Sequence, residues 1–351
     1  MNLEGEQMRV GILGATGYSG AVLFSLLTQH PQITKIDLYG HANREPDRRR
    51  SLVDEVPAYS NIHAQLLPFI PQTIMETDDC LFCATPAGIT KDLMEPFIAQ
   101  NFPVIDLSGD YRLKDPLQYK KWYHKEPPAE QLLTKADYGL SEFLNHPKNY
   151  IANPGCYATA TLLGLAPLVL EKLLEPDSII VDAKSGVSGA GKKLQPSNQY
   201  TFINENAFLY KINEHQHIPE IMQQLHKWDP TIPTIHFTTT LIPVTRGIMA
   251  TIYAKAAPQI SVAKIQEAYL HSYSHSPFVR LRNETFPTIQ DVKGSNYCDI
   301  GFNYNPQTNV VTVVAVIDNL LKGAAGQAVQ NFNKLYGFEE TTGLPALPSF
   351  P

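Results

Sequence analysis

One thiol in this chain stands where a thiol can react. Cys156 follows Asn153-Pro154-Gly155 in "NYIANPGCYATATLLGLAPLVLEKLL" and opens an apolar, helix-like run. The thiolate is the reactive form of cysteine, and a helix N-terminus favours it through unpaired N–H groups and the helix dipole. Asn153 is a candidate donor to an oxyanion at the same place. The competing reading makes Cys156 a small buried hydrophobe at a helix start. Pro167, inside the run, predicts a kink or a break.

A nearby base would favour the nucleophile. The densest histidine group is "NEHQHIPEI", with His215, His217 and then Glu220. Pro219 and Glu220 suit the first turn of a helix that begins just past His217. His217, oriented by Glu220, would then exchange protons at the cysteine, although spacing alone does not choose between His217 and His215. Glu214, beside the pair, is expected to raise a nearby histidine pKa by charge proximity. His-x-His can also hold a metal, but no third ligand has convincing spacing, so none is expected. "CLFC" at Cys80–Cys83 lies in a strand-like run with no second pair and reads as packing residues.

A second constellation suits a dinucleotide. Glycines at 11, 14, 17 and 20 follow a strand and open a helix, where main-chain N–H groups can approach a pyrophosphate. Gly14, Thr16, Gly17, Tyr18 and Ser19 are the cofactor-binding candidates in this turn. After the second strand the chain offers His41, Asn43 and Arg44 rather than an acidic residue, which favours the 2′-phosphate of NADP over NAD. A thiol, a histidine and a nicotinamide together suit reduction of an activated acyl group to an aldehyde, or the reverse. Sulfur forms a thioester and hydride reduces it.

Composition narrows the setting. With 351 residues there is room for two domains, and 43% hydrophobic with 18% charged residues is ordinary for a globular protein. A formal net charge of -6 gives no support to general nucleic-acid binding. No apolar run approaches a membrane span, and "MNLEGEQMRV" lacks signal-peptide features. Four cysteines do not make a disulfide scaffold, so a reducing cytoplasm is expected.

The elements that must position these residues fall into two grammars. "MRVGILGATGYSGAVLFSLLTQHPQITKIDLYG" reads strand, glycine turn, helix, strand, which implies a parallel sheet. Strands at "CLFCATP" and "FPVIDLS" follow, with "GITKDLMEPFIAQ" as the helix between them. The expectation is an α/β, Rossmann-type doubly wound domain over residues 1–155. From 156 to 319, strands "SIIVDAKSG", "TIHFTTTLIPV", "GIMATIYAKA" and "VVTVVAVID" with helices at 157–174 and 262–273 predict an α+β mixed-sheet domain. "NLLKGAAGQAVQNFNKLYGF" reads as a closing helix, so 320–351 is expected to complete the first domain, with "GLPALPSFP" as a surface tail.

The motifs "GATGYSG" at 14–20, "DLSGDYRL" at 106–113, "NPGCYAT" at 153–159, "KSGVSGAGKK" at 184–193, "HQHIPEI" at 215–221 and "DNLLKGAAGQAVQN" at 318–331 resemble the N-acetyl-γ-glutamyl-phosphate reductase family. That family is related in fold to aspartate-semialdehyde dehydrogenase. The resemblance implies NADPH-dependent reduction of N-acetyl-γ-glutamyl phosphate to the semialdehyde, with release of phosphate, in arginine biosynthesis. It makes Cys156 the catalytic cysteine, His217 the acid/base and Glu220 the acid beside it. It also brings Asn319 to the nicotinamide, with Lys322-Gly323 in its surroundings, and implies a homo-oligomer, dimer or tetramer. An acyl phosphate and a carboxylate both need cationic or amide clamps, for which Arg112, Lys184, Ser185 and Arg246 are the candidates. Ser185 and Gly186 are also assigned to the cofactor, and Gly186–Gly191 is expected to bring main-chain N–H groups to the phosphate. Two departures from the family pattern are Gly109, where alanine is frequent, and Asn213-Glu214, where a glycine is common. The rival readings are the same chemistry on an aminoadipate-type or aspartyl acyl phosphate, and a non-catalytic NADP-binding sensor.

Overall fold

The computed structural model describes residues 7–40, 51–258, 260–282 and 285–349. Contacts divide the chain into two compact units. One runs through Pro154 and takes Ala324–Leu344; the other runs from Gly155 to Gly323 and takes the tail from Pro345. The expectation places all of 320–351 in the first unit. The tail instead belongs with the second because Ser349 N–H donates to Lys293 O at 2.7 Å and Asn296 N–H to Pro345 O at 3.4 Å.

The first unit holds seven parallel strands: β1 (Met8–Leu13), β2 (Ile33–Gly40), β3 (Leu66–Pro68), β4 (Cys80–Cys83), β5 (Val104–Asp106), β6 (Ala136–Tyr138) and β7 (Tyr150–Ala152). Their order is β3-β2-β1-β4-β5-β7-β6, with β1 in the middle of the crossovers. This is the doubly wound arrangement, in which strands covered on both faces read as continuous apolar runs. Leu13, Tyr39, Ile74, Leu81, Phe97 and Tyr150 fill one core cluster. The short strands β3, β6 and β7 carry too few residues to show a periodicity in the sequence.

"GITKDLMEPFIAQ" does not form one helix. A single 3-10 turn at Thr90–Asp92 is followed by a short helix at Glu95–Ala99. Pro96 has no N–H to continue an earlier turn and sits comfortably only in the first turn of a new one. The closing helix also starts late. Leu321–Ala325 is a π-helical turn, and regular helix runs over Gly326–Tyr336 to a left-handed Gly337 cap. Ala328, Val329 and Phe332 are fully buried, and each large apolar side chain so removed from water contributes about 1.5–3 kcal/mol.

The second unit is a mixed sheet: β8 (Ile180–Ser185), β9 (Phe208–Tyr210), β10 (His236–Leu241), β11 (Ile248–Lys255), β12 (Val279–Arg282), β13 (Cys298–Asn305) and β14 (Val310–Ile317), in the order β12-β13-β14-β11-β8-β10-β9. β8 with β10 and β12 with β13 are parallel, and the other pairs are antiparallel. The helix Cys156–Leu170 is buried from Tyr157 through Val169, as expected of a helix apolar all round. Its Gly164 lies against Ile252, where an added Cβ would approach Cδ1 to 2.9 Å.

Pro167 does not break this helix, which continues to Leu170. A proline leaves the carbonyl four residues earlier without its donor. Here that carbonyl is Leu163 O, and the Tyr273 hydroxyl donates to it at 2.6 Å; Tyr269 donates to Gly164 O at 2.7 Å. Both tyrosines lie on the helix Val262–Tyr273, at its expected position.

Candidate active site

In the second unit, Cys156 is the first residue of its helix, with Gly155 as N-cap, and is partly exposed. Gly155 offers no side-chain cap and no acidic residue occupies the first turn of the helix itself, so the thiol stands at main-chain N–H groups of the helix start. His217 lies against the residue before it. A Cβ on Gly155 would stand 2.3 Å from His217 Nε2, so only glycine lets the imidazole rest on the main chain there. His217 is the N-cap of the helix Ile218–Trp228, whose Pro219 and Glu220 occupy the first turn as expected.

Glu220 is fully buried, and its Oε1 accepts the Gly155 N–H at 2.7 Å. It therefore fixes the turn that carries Cys156, a role that sequence spacing did not suggest. His215 has a different environment. Its Nδ1 accepts the His217 main-chain N–H at 3.2 Å, and its ring meets Tyr157, Tyr210 and Phe237. Burial, then His217 and Lys211, hold the His215 imidazole well below the ordinary histidine range. The expectation that Glu214 would raise a neighbouring pKa fails for His215, because Glu214 is exposed while the imidazole beside it is desolvated. The Tyr157 and Tyr210 hydroxyls meet at 2.9 Å and close the far side of this group. Tyr157 adjoins Cys156 in "NPGCYAT", and that adjacency was the available signal for it.

Gly323 packs directly on the cysteine: an added Cβ would lie 2.7 Å from Cys156 Cβ. Around the ends of β8 and β14, Asn319 Oδ1 accepts Gly247 N–H at 2.7 Å and its Nδ2 donates to Ser188 Oγ at 3.0 Å. Ser185 is buried and donates to Gly186 O. Gly186 lies under the 244–246 main chain, where a Cβ would meet Arg246 N at 2.9 Å. The glycine loop does not present a row of N–H groups to a phosphate. Those of Gly186, Val187, Ser188, Gly189 and Gly191 donate to Gly247 O, Val244 O, Thr245 O, Gly186 O and Ser188 O. Folding the loop onto the 244–247 strand connection satisfies them internally.

The cationic candidates separate. Lys184 pairs with Asp182, two residues away on the same face of β8. Arg246 Nε pairs with Asp318 at 3.1 Å, while its Nη2 is buried with no hydrogen-bond partner among the described residues. Asp318, which the sequence reading did not single out, is fully buried.

In the first unit, Arg112 and Asn153 are struts. Arg112 Nε donates to Asn153 O at 2.8 Å and Nη2 to Leu107 O at 2.8 Å. Asn153 is fully buried; its Nδ2 donates to Ala324 O at 3.1 Å and its Oδ1 accepts from Asn331 Nδ2 at 3.0 Å. An amide so engaged holds the β7 exit to the closing helix. Gly109, the departure from the family pattern, abuts Tyr123, where a Cβ would stand 2.3 Å from the hydroxyl.

The glycine turn of this unit suits a pyrophosphate. Gly14 has φ +93 and lies under Ala84 O, where a Cβ would come within 2.7 Å. Gly20 approaches Gly14 O so closely that its Cβ would stand at 2.1 Å. The helix Tyr18–Thr28 starts from Gly17 with no side-chain cap and no acid in its first turn. Thr16 and Ser19 are partly buried and Tyr18 is exposed beside that N-terminus. Asp37 is buried inside β2 and pairs with Arg9 at 2.5 Å, so it is a structural acid. His41, Asn43 and Arg44 lie outside the described residues. Among the described residues no group of His, Cys, Asp and Glu is arranged to hold a metal, and no helix is long and apolar enough to cross a membrane.

Residues 9–151 match the family model for the semialdehyde dehydrogenase NAD binding domain, and residues 156–319 match that for the semialdehyde dehydrogenase dimerisation domain. N-acetyl-gamma-glutamyl-phosphate reductase 2 of Lactiplantibacillus plantarum is 53% identical over 344 residues, covering 98% of this chain and 100% of that protein. The N-acetyl-gamma-glutamyl-phosphate reductase of Listeria welshimeri is 52% identical over 347 residues with the same coverage. Among solved structures, aspartate semialdehyde dehydrogenase II of Vibrio cholerae has a TM-score of 0.69 at 17% identity, covering 95% of this chain and 99% of that one. Aspartate semialdehyde dehydrogenase with NADP from Candida albicans has a TM-score of 0.63 at 16% identity, covering 94% and 99%. The solved structures share the fold, and the curated relatives carry the closer kinship: the chain belongs to the N-acetyl-γ-glutamyl-phosphate reductase family of semialdehyde dehydrogenases.

Proposed function

We propose that the protein reduces N-acetyl-γ-glutamyl phosphate to N-acetylglutamate semialdehyde, releasing phosphate, as a step of arginine biosynthesis. The observation that carries this reading is Cys156 at the uncapped start of its helix, with the His217 imidazole resting on Gly155. Cys156 Sγ attacks the acyl carbonyl, the acyl–phosphate bond breaks, and inorganic phosphate leaves a thioester on the protein. His217 holds the thiol proton during attack and returns a proton to the departing group. Glu220 keeps the Gly155 turn in place. Arg246, with one buried guanidinium nitrogen that has no partner among the described residues, is the clamp for an anionic group of the substrate.

The glycine turn, with Thr16, Tyr18 and Ser19 at an uncapped helix start, holds the cofactor pyrophosphate. NADPH is the preferred dinucleotide because Arg44 and its neighbours suit a 2′-phosphate. When bound, it supplies the hydride that takes the thioester to the aldehyde level. The dimerisation-domain match supports a homo-oligomer, and free thiols at Cys80, Cys83, Cys156 and Cys298 suit a reducing cytoplasm.

The test is NADP reduction by purified protein with N-acetylglutamate semialdehyde and phosphate, repeated with aspartate and α-aminoadipate semialdehydes. Phosphate-dependent turnover fastest on the N-acetylglutamate compound is expected, and Cys156→Ser should lower it at least ~1,000-fold while still binding NADPH. Equal turnover by that variant would remove the thioester step.

A further inference from the structure

Arg246 is held from every side by the ends of three strands and one loop. Its main-chain N lies against Gly186, just past β8. The next residue, Gly247, donates to Asn319 Oδ1 beyond β14. Gly247 has φ +117, and a Cβ there would stand 2.1 Å from Ile289 Cγ2, so the loop at 289–294 covers it closely. The side chain reaches Asp318, the first residue after β14.

Asp318 has more obligations than an ordinary ion-pair partner. Its Oδ1 accepts the main-chain N–H groups of Leu320 at 2.9 Å and Leu321 at 3.2 Å, and Arg246 Nε at 3.2 Å. Its Oδ2 accepts Gly294 N–H at 2.8 Å and lies 3.1 Å from Arg246 Nε. Its main-chain carbonyl accepts Gly323 N–H at 3.0 Å, and Gly323 is the residue packed on Cys156. The carboxylate thus fixes the cation, while the main-chain carbonyl, which Asp318→Asn keeps, holds the turn that abuts the thiol. Arg246 Nε is committed to this carboxylate, whereas Nη2 is buried and has no hydrogen-bond partner among the described residues. A buried donor left unpaired is destabilising, and an oxyanion in the guanidinium plane would satisfy it.

We propose that Asp318 is the positioning residue that turns Arg246 so that Nη2 meets an anionic oxygen of the substrate. This rests on the activity proposed above. The recognised group is a carboxylate or a phosphoryl oxygen, and the two sources separate kinetically.

The experiment measures NADP reduction by the full chain with the semialdehyde and inorganic phosphate varied in turn. Asp318→Asn should raise the KM of one of them at least tenfold and change kcat by less than about threefold; a raised semialdehyde KM assigns the carboxylate, and a raised phosphate KM assigns the phosphoryl oxygen. Alkylation of Cys156 by iodoacetamide should keep its wild-type rate, which a general collapse of the site would not allow. Arg246→Lys keeps the charge but loses the planar fork, and should reproduce the same KM defect. The double variant should be no worse than either single one. Should Asp318→Asn not fold, Arg246→Lys alone decides. Wild-type KM values for both substrates, or a KM rise matched by lost Cys156 alkylation, overturn the proposal. If the wild type turns over neither substrate, the activity reading fails separately. Thermal stabilisation by phosphate or N-acetylglutamate then tests Asp318: equal stabilisation, or none, in wild type and variant rejects its role.

Discussion

Cys83 and Cys156 are both set among apolar residues, yet the fold gives them opposite chemistry. Cys83 and its neighbour Cys80 lie in β4, flanked by β1 and β5, and are fully buried. Burial pushes both thiols well above the ordinary range, and nearby carboxylates, Asp79 for Cys80 and Asp106 for Cys83, push the same way. Cys156 begins a helix and keeps part of its surface. A strand interior offers a thiol no unpaired donors, whereas the first residue of a helix sits among several. The element's end, rather than the residue's apolar company, separates the partly exposed sulfur from the buried ones.

The comparison breaks most visibly in labelling. At about pH 7.5 iodoacetamide should modify Cys156 at least ~100-fold faster than Cys80 or Cys83, because the buried thiols stay protonated and covered. Raising the pH to ~9 should leave that order intact, since the burial shift moves the Cys80 and Cys83 titrations further up, away from the solution pH. In urea all four cysteines should react. Peptide mapping by mass spectrometry reads the result, and fast native labelling of Cys83 would end the distinction.

A smaller effect should follow from crowding the partly exposed thiol. Gly323→Ala places a methyl group 2.7 Å from Cys156 Cβ, and neither main chain has a flexible end to yield. Displacement of a nucleophile by a fraction of an ångström to one ångström costs up to ~100-fold, so kcat should fall about 10- to 100-fold. NADPH affinity, measured by fluorescence titration, should change less than kcat. Full activity in Gly323→Ala would mean that the cysteine tolerates a range of positions.

Much of this was legible in the sequence, because long elements and chemical motifs leave strong local patterns. The glycine turn, the helix at 262–273, the start of the histidine helix and four strands of the mixed sheet all follow from periodicity and punctuation. Sequence could not show partners distant along the chain. Asn153 and Arg112 read locally as substrate donors, and folding adds bonds to Ala324, Asn331 and Leu107 that no local pattern announces. The 186–191 loop looks like an N–H cradle until the 244–247 connection takes its donors. Glu220 was found by its spacing from His217, but its bond to Gly155 is a long-range fact.

The far end of the cysteine helix gives the smallest and most specific prediction. Its proline leaves Leu163 O without a helical donor, and Tyr273 supplies one from a different helix. Tyr273→Phe removes that hydroxyl while keeping the ring, so a buried carbonyl is left unpaired at a cost of about 1–3 kcal/mol. Tyr269→Phe should cost less, because Gly164 O stands in helical register with the N–H of Leu168 as well as accepting the Tyr269 hydroxyl. Thermal melts should therefore rank Tyr273→Phe below Tyr269→Phe by about 2–4 °C per kcal/mol of difference. Both variants should retain iodoacetamide selectivity for Cys156, since the thiol is held at the other end by Gly155, Glu220 and Gly323. Equal melting temperatures for the two would show that the proline's orphaned carbonyl finds its partner elsewhere.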